Sequence, residues 1–316
     1  MDIEILFISN KEDISIDYLI SKLKLKTKRF LRINSEDINK IDFNINPKGE
    51  FVIKTNSKTF NLKNVKSVIF KRTPIKFDLN KDDSNQKYLN NERKHFFEGL
   101  YLSLQKAKWI NPMFETHIAE RKIFQLNQAN QIGLKTPESV ITNNPSTAHK
   151  FLQENQKSII KPISNGLQVV DEDVYSIYTS DIDKDFFKDY KQSELFETPV
   201  YLQERIENKS DIRVVIIGEK LFAIRIDKSD KLEVDWRKPE IIKTYSNVTL
   251  PKKLCKLLID FNKSFGLIYS AMDLIEKPNG EFVFLEINPV GEWVWLESEL
   301  DLNISDTLIN EILWLN

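Results

Sequence analysis

The stretch Met272-Asp273-Leu274-Ile275-Glu276-Lys277-Pro278-Asn279-Gly280-Glu281-Phe282-Val283-Phe284-Leu285-Glu286-Ile287-Asn288-Pro289 constrains this chain most. Asn-Gly between two apolar runs is the strongest short-range hairpin signal, and it favours a two-residue type I′ turn. With Asn279-Gly280 as the loop, Pro278 faces Glu281, and Asp273 falls directly opposite Glu286. Alternation along the strand puts Glu286 and Asn288 on one face and Val283, Leu285 and Ile287 on the other. Two carboxylates and an amide thereby share a patch. Like charges directly opposite each other destabilise a sheet. A divalent cation with oxygen ligands removes that cost, and Mg²⁺, held by few carboxylates plus substrate phosphates, matches the donor set. The bland alternative is a solvated strand face.

Composition narrows what else the chain can be. Its 316 residues suggest two or three domains or subdomains, and 41% hydrophobic content is enough for a buried core. A net charge of −1 gives no basic field, which argues against a nucleic-acid partner. The single Cys255 forms no internal disulfide and reads as a packing residue, and His95, His117 and His149 lack zinc spacing. The N-terminus carries acids where a signal peptide needs bases, and no apolar run is long enough to span a bilayer, so a cytoplasmic protein without membrane contact is expected. Only nine of the 46 basic residues are Arg, so each Arg is a candidate for a task that needs a planar fork.

Patterning along the chain predicts an α+β protein with an α/β N-terminal part. Residues 3–8 and 65–70 read as strands, 13–24 as a helix, and the region around Pro47-Lys48-Gly49-Glu50 as a hairpin. Residues 78–91 lack periodicity and read as a loop, followed by a helix over 92–107. A single helix is expected from His117 to Gly133. Strands are expected at 158–162, 200–206, 211–217 and 221–226, and an amphipathic helix over 251–266. The acid-rich segment 171–197 reads as a solvated face. The expected division is 1–115, 116–198 and 199–316.

The pattern Asp273…Glu286-Ile287-Asn288-Pro289 resembles the metal-binding signature of the ATP-grasp superfamily. Three upstream blocks fall in that family's order: Glu120-Arg121-Lys122, Ile159-Ile160-Lys161-Pro162, and Gln203-Glu204-Arg205-Ile206 followed by Asp211-Ile212-Arg213. A closer resemblance is to the graspetide, or microviridin-type, peptide maturases. It is carried by Phe70-Lys71-Arg72-Thr73-Pro74, Val234-Asp235-Trp236-Arg237 and Asn288-Pro289-Val290-Gly291-Glu292-Trp293-Val294-Trp295-Leu296-Glu297. One departure is that the loop after Lys161 has only Gly166 where many relatives have a glycine-rich flap.

The resemblance implies an ATP-grasp fold, with the nucleotide held between two antiparallel-sheet subdomains. It implies ATP and Mg²⁺ as cofactors: Lys122 and Lys161 on the phosphates, Gln203, Glu204, Arg205, Ile206 and Asp211 at adenine and ribose. Asp273, Glu286 and Asn288 would hold metal, with Glu286 bridging two ions. Arg213 and Arg225 are assigned to the γ-phosphate and acyl phosphate, and Arg237 to the peptide carboxylate. Arg72, Asp235, Trp236, Glu292 and Trp293 are candidate contacts to a precursor peptide of leader plus core; Trp236 and Trp293 have a packing alternative. The implied reaction activates Asp or Glu side chains as acyl phosphates and joins them to Ser or Thr hydroxyls, or Lys amines, in macrocycles. A homodimer is also implied. Rival readings are another ATP-grasp carboxylate–amine ligase, such as a glutamate-adding enzyme, and a non-catalytic binding module.

Overall fold

The computed structural model describes residues 1–314 except 28, 47, 49, 56–57, 72–83, 165, 171–172, 189 and 191–193. The Ile5–Ser9 strand, buried along its whole length, pairs in parallel with Phe30–Asn34 on one side and Ser67–Phe70 on the other. Lys108–Ile110 extends this four-stranded sheet, and Asp42–Asn46, Glu50–Thr55 and Lys58–Asn61 form a separate antiparallel meander. An unbroken apolar strand such as Ile5–Ser9 suits a parallel sheet covered on both faces. The helix Ile14–Leu23 starts where Asp13 accepts a hydrogen bond from the Ile16 amide, the usual N-cap contact.

Two antiparallel sheets follow. The first runs in the order Ser180–Ile182, Ser158–Lys161, Val200–Glu204, Ser139–Thr142. The second has five strands in the order Lys243–Asn247, Lys220–Lys228, Ser210–Ile217, Tyr269–Glu276, Phe282–Asn288. This is the ATP-grasp arrangement expected from the resemblance. Val200–Glu204 pairs within the first sheet, so the division between sheets falls after Glu204 rather than before Val200.

The helix Ile304–Leu313 lies between the parallel sheet and the five-stranded sheet. Its Leu308, Ile309 and Ile312 share one core with Phe7, Ile69, Val215, Ile217 and Ile224. The other face of the five-stranded sheet buries Ile212, Val214, Met272 and Phe284 against Leu258 and Phe261 of the amphipathic helix Lys252–Ser264. One continuous body therefore backs the metal-candidate strands from both sides.

Several expectations change. Residues 84–91 are helical, the start of Ser84–Ser103; 78–83 lie outside the described residues. The described side chains of those first turns, Tyr88 and Leu89 among them, are mostly exposed and precede the buried Phe97, Leu100, Tyr101 and Leu104, so they write no core period into the sequence. The expected 117–133 helix is two, Met113–Ala119 and Lys122–Gln131, with the break placing Lys122 at a helix start. The acid-rich segment contributes Asp173–Ser176, Ser180–Ile182 and the buried Phe187 and Phe196, which join the core of the first sheet with Phe151 and Leu202. It is not merely a solvated face.

Candidate active site

Asp273 does pair with Glu286, by a route different from the one predicted. The turn is a three-residue loop, closed by the Lys277 amide donating to the Glu281 carbonyl. Gly280 adopts φ +82°, a conformation that glycine takes without steric cost. Beyond it Leu274 pairs with Phe284, one residue out of the predicted register, and a bulge between Asp273 and Leu274 restores the pairing of Asp273 with Glu286. The bulge also puts Phe284 and Ile287 into the same core, while Leu285 lines the site cavity with Glu286. The predicted grouping of Val283, Leu285 and Ile287 on one face is therefore corrected.

A cavity of about 1550 Å³ lies between the two antiparallel sheets, lined by Lys122, Lys161, Glu204, Asp273, Glu286 and Asn288 among others. Glu286 faces cations on both oxygens, Lys122 at 3.5 Å and Arg237 at 3.4 Å. Burial works against its ionisation, but Lys122, Arg237 and Lys161 outweigh burial and hold the carboxyl down to about 2. Burial pushes Asp273 up, opposed by Arg213, which grips both its oxygens at 2.8 and 2.9 Å. Burial lowers the Lys161 ammonium to about 8, with Glu286 acting in the opposite direction. Lys122 donates to the Pro162 carbonyl at 2.9 Å, which ties its helix to the strand end that carries Lys161.

The donor set fits Mg²⁺. Asp273, Glu286 and the Asn288 amide oxygen offer hard oxygen ligands on adjacent strands, and the amide oxygen makes one hydrogen bond, from the Val290 amide at 3.0 Å. The cations now facing Glu286 supply the positive charge that a metal ion held by the carboxylates would supply. Gly291 allows the following loop to come this close: a Cβ there would meet the Ala271 Cβ at 2.6 Å and an Arg213 nitrogen at 3.2 Å.

The hinge strand behaves as backbone. The Gln203 side chain is buried and donates to the Tyr201 hydroxyl at 2.8 Å, Glu204 accepts from the Glu138 amide, and Arg205 pairs with Asp181. Gln203, Glu204, Arg205 and Ile206 all border the cavity. Asp211 borders it too, buried beside Lys228 at 2.9 Å. Lys228, whose side chain is 5% exposed, is a further residue of the cavity wall that the motifs do not mark. Alternation from Ile224 and Ile226 places it on the site face and could have found it.

Other candidates are reassigned. Arg213 braces Asp273 from below, and its guanidinium lies 5.9 Å from the Trp236 ring centre. Arg225 pairs with Ile212 in the register, so it lies on the opposite face of the sheet from Arg213, bound to Glu276 at 2.6 Å. It is removed from the site. Asp235 lines the cavity with its carboxylate engaged: it holds Arg237 through Nε and an NH2 group, both at 2.8 Å, and accepts from the Thr179 amide. Burial opposes its ionisation, but the Arg237 hydrogen bonds keep the carboxyl below its ordinary value. Trp236 borders the cavity with its ring 5.8 Å from Trp295. Trp293 is buried against Tyr18 and is a packing residue. Glu292 is bound to Lys71 at 2.7 Å and to the Ser15 hydroxyl. Arg72 lies outside the described residues.

Residues 4–117 match the family model of the MvdD pre-ATP grasp domain. The macrocyclase MdnC from Microcystis aeruginosa MRC, solved with its precursor peptide MdnA, superposes with a TM-score of 0.84 at 26% identity, covering 99% of this chain and 100% of that one. A ribosomal-peptide-associated ATP-grasp ligase from Chryseobacterium gregarium, solved with ADP and a leader and core peptide, gives 0.83 at 22% identity over 99% and 97% of the two chains. The tetrahydromethanopterin:alpha-L-glutamate ligase of Methanocaldococcus jannaschii is 23% identical over 197 residues, 57% of this chain. The chain spans 61% of that ligase's length and 39% of its counterpart's from Methanococcus maripaludis. The chain has the ATP-grasp fold, and in that fold and in the type of its N-terminal domain it is similar to ATP-grasp ligases solved with ribosomally made precursor peptides.

Proposed function

We propose that the chain is an ATP-dependent ligase that activates Asp or Glu side chains of a ribosomally made precursor peptide and closes them onto Ser or Thr hydroxyls or Lys amines. The observation that carries this reading is the convergence of Asp273, Glu286, Lys122, Lys161 and Arg237 on one cavity between two antiparallel sheets. At about 1550 Å³ the cavity exceeds the usual range for one small ligand, which suits a nucleotide beside a peptide segment.

Lys122 and Lys161 hold the α- and β-phosphates as point charges. The backbone of Gln203 to Ile206 meets the adenine edge, with Glu204 and Asp211 toward ribose. Asp273, Glu286 and Asn288 would hold Mg²⁺, which when bound neutralises the polyphosphate and the charge that builds on the transferred group. A carboxylate oxygen of the peptide attacks the γ-phosphorus, the bond to the bridging oxygen breaks, and ADP leaves. Arg237, fixed by Asp235, faces the resulting acyl phosphate. The hydroxyl or amine of the same peptide attacks the acyl carbon, and phosphate departs with the proton that the nucleophile gives up. The net change is loss of one water from the peptide per ring. Positioning and charge compensation suffice for this chemistry, and no enzyme nucleophile is needed.

The test is incubation with candidate precursor peptides of leader plus core, ATP and Mg²⁺, scored by mass spectrometry as successive water losses. A peptide of unchanged mass, with free glutamate incorporated into another acceptor instead, would favour a second reading. That reading, a glutamate-adding ligase, draws on the similarity to the archaeal glutamate ligases. It shares the nucleotide and metal residues and differs in the acceptor.

A further inference from the structure

Phe282–Asn288 is the edge strand of the five-stranded sheet, so alternate backbone groups along its outer side need partners from elsewhere. The outward groups of Ile287, between Glu286 and Asn288, find one in Gln125. Its Oε1 accepts from the Ile287 amide at 3.2 Å, and its Nε2 donates to the Ile287 carbonyl at 3.0 Å. The same Nε2 donates to the Ala119 carbonyl at 2.6 Å, at the break between the two helices. Gln125 is 3% exposed and all three contacts are to backbone, so its amide acts as one peptide unit of an added strand.

Gln125 stands three residues after Lys122, on the same helix. One turn of helix thus carries both a lysine at the phosphate end of the cavity and the amide that fixes the carboxylate strand. The Lys122-to-Glu286 separation of 3.5 Å is bounded by these contacts: Gln125 to Ile287 at one end and Lys122 to the Pro162 carbonyl at the other.

We propose that Gln125 is a positioning residue that locks the strand of Glu286 and Asn288 to the Lys122 helix, so that the cation ligands and the phosphate lysine form one rigid unit. The proposal rests on the reading of Asp273, Glu286 and Asn288 as cation ligands. Groups that orient ligands from behind typically change metal affinity by about 10–100-fold when removed. Met keeps the length and volume of Gln while removing donor and acceptor, which makes Gln125→Met the sharpest variant.

The experiment is calorimetric ADP binding with and without Mg²⁺, together with hydrogen exchange at the Ile287 amide. In Gln125→Met, the Mg²⁺-free ADP affinity should stay within about twofold of the parent. The Mg²⁺ concentration needed for half-maximal ADP binding should rise about tenfold, and the Ile287 amide should lose protection. Unchanged Mg²⁺ requirement would overturn the proposal. If Gln125→Met does not fold, Gln125→Glu keeps the acceptor but sets a carboxylate against the Ile287 and Ala119 carbonyls; the same rise is expected, and its absence overturns the proposal equally. Glu286→Gln separates the two levels. If that variant keeps the full Mg²⁺ effect, the cation-site reading fails; if it loses the effect while Gln125→Met does not, only the role of Gln125 fails.

Discussion

Lys161 shows how burial sets chemistry at single residues. The cavity wall lowers its ammonium to about 8, so near neutral pH it is charged without the full margin of an exposed lysine. A polyphosphate binds the charged form, which makes nucleotide binding and protonation linked. ADP affinity should be level at pH values well below 8. It should fall as pH rises through about 8, by up to about tenfold per pH unit, until the pKa of the complex is reached. Calorimetric titration across that range checks this, and a flat profile would place Lys161 away from the phosphates. Asp235 and Arg237 make a different point about residues. The carboxylate taken from the motif as a peptide contact is spent on holding the arginine, and the Thr179 amide makes that grip reach the first antiparallel sheet.

At the scale of elements, the carboxylate hairpin was legible because pairing depends on register, and register on a turn. Asn279-Gly280 announced the turn, but whether it closes with two residues or three depends on packing that a local pattern does not contain. The bulge beside Asp273 compensated, and Phe284 reached the core where alternation had placed it elsewhere. Arg225 failed for a reason open to correction from sequence. Arg213 and Arg225 sit on neighbouring strands, yet pairing of Ile212 with Arg225 puts them on opposite faces. Gln125 left no mark, because a buried amide in a polar helix looks like any surface glutamine until the edge strand lies beside it. Removing Arg225 as Arg225→Met should therefore cost stability and not nucleotide binding. Glu276 keeps Lys209 at 2.7 Å, so the loss should be about 1–2 kcal/mol by denaturant melt, with ADP affinity unchanged. A lost ADP affinity with normal stability would return Arg225 to the site.

Across the whole molecule, a shared core and the buried carboxylate of Glu297 are among the contacts that join the N-terminal helix Ile14–Leu23 to the C-terminal helices Val294–Leu300 and Ile304–Leu313. Glu297 accepts from Lys22 at 2.8 Å, from the Tyr18 hydroxyl at 3.0 Å and from both the amide and hydroxyl of Ser305 at 2.6 Å. Burial opposes its ionisation, but these donors outweigh burial and depress its carboxyl. A depressed carboxyl stabilises the fold above its unfolded pKa and loses that contribution as pH falls through the folded value. Glu297→Gln should cost about 1–3 kcal/mol near neutral pH, and the gap to the parent should close below about pH 4. Equal denaturant midpoints at neutral pH would show that the network adds nothing. None of this is legible in the sequence, because Lys22, Glu297 and Ser305 meet only once distant helices pack. Among the described residues, no helix is long and apolar enough to cross a membrane.

At Glu286 the register, the surrounding cations and the cavity coincide. The direct measurement is mass spectrometry of the precursor peptide after incubation with Mg²⁺, ATP and either the parent enzyme or Glu286→Gln. The parent should remove water ring by ring. The variant, melting within a few degrees of the parent, should be slower by at least about 10²-fold. Water loss by Glu286→Gln at the parent's rate would contradict the assignment of this site.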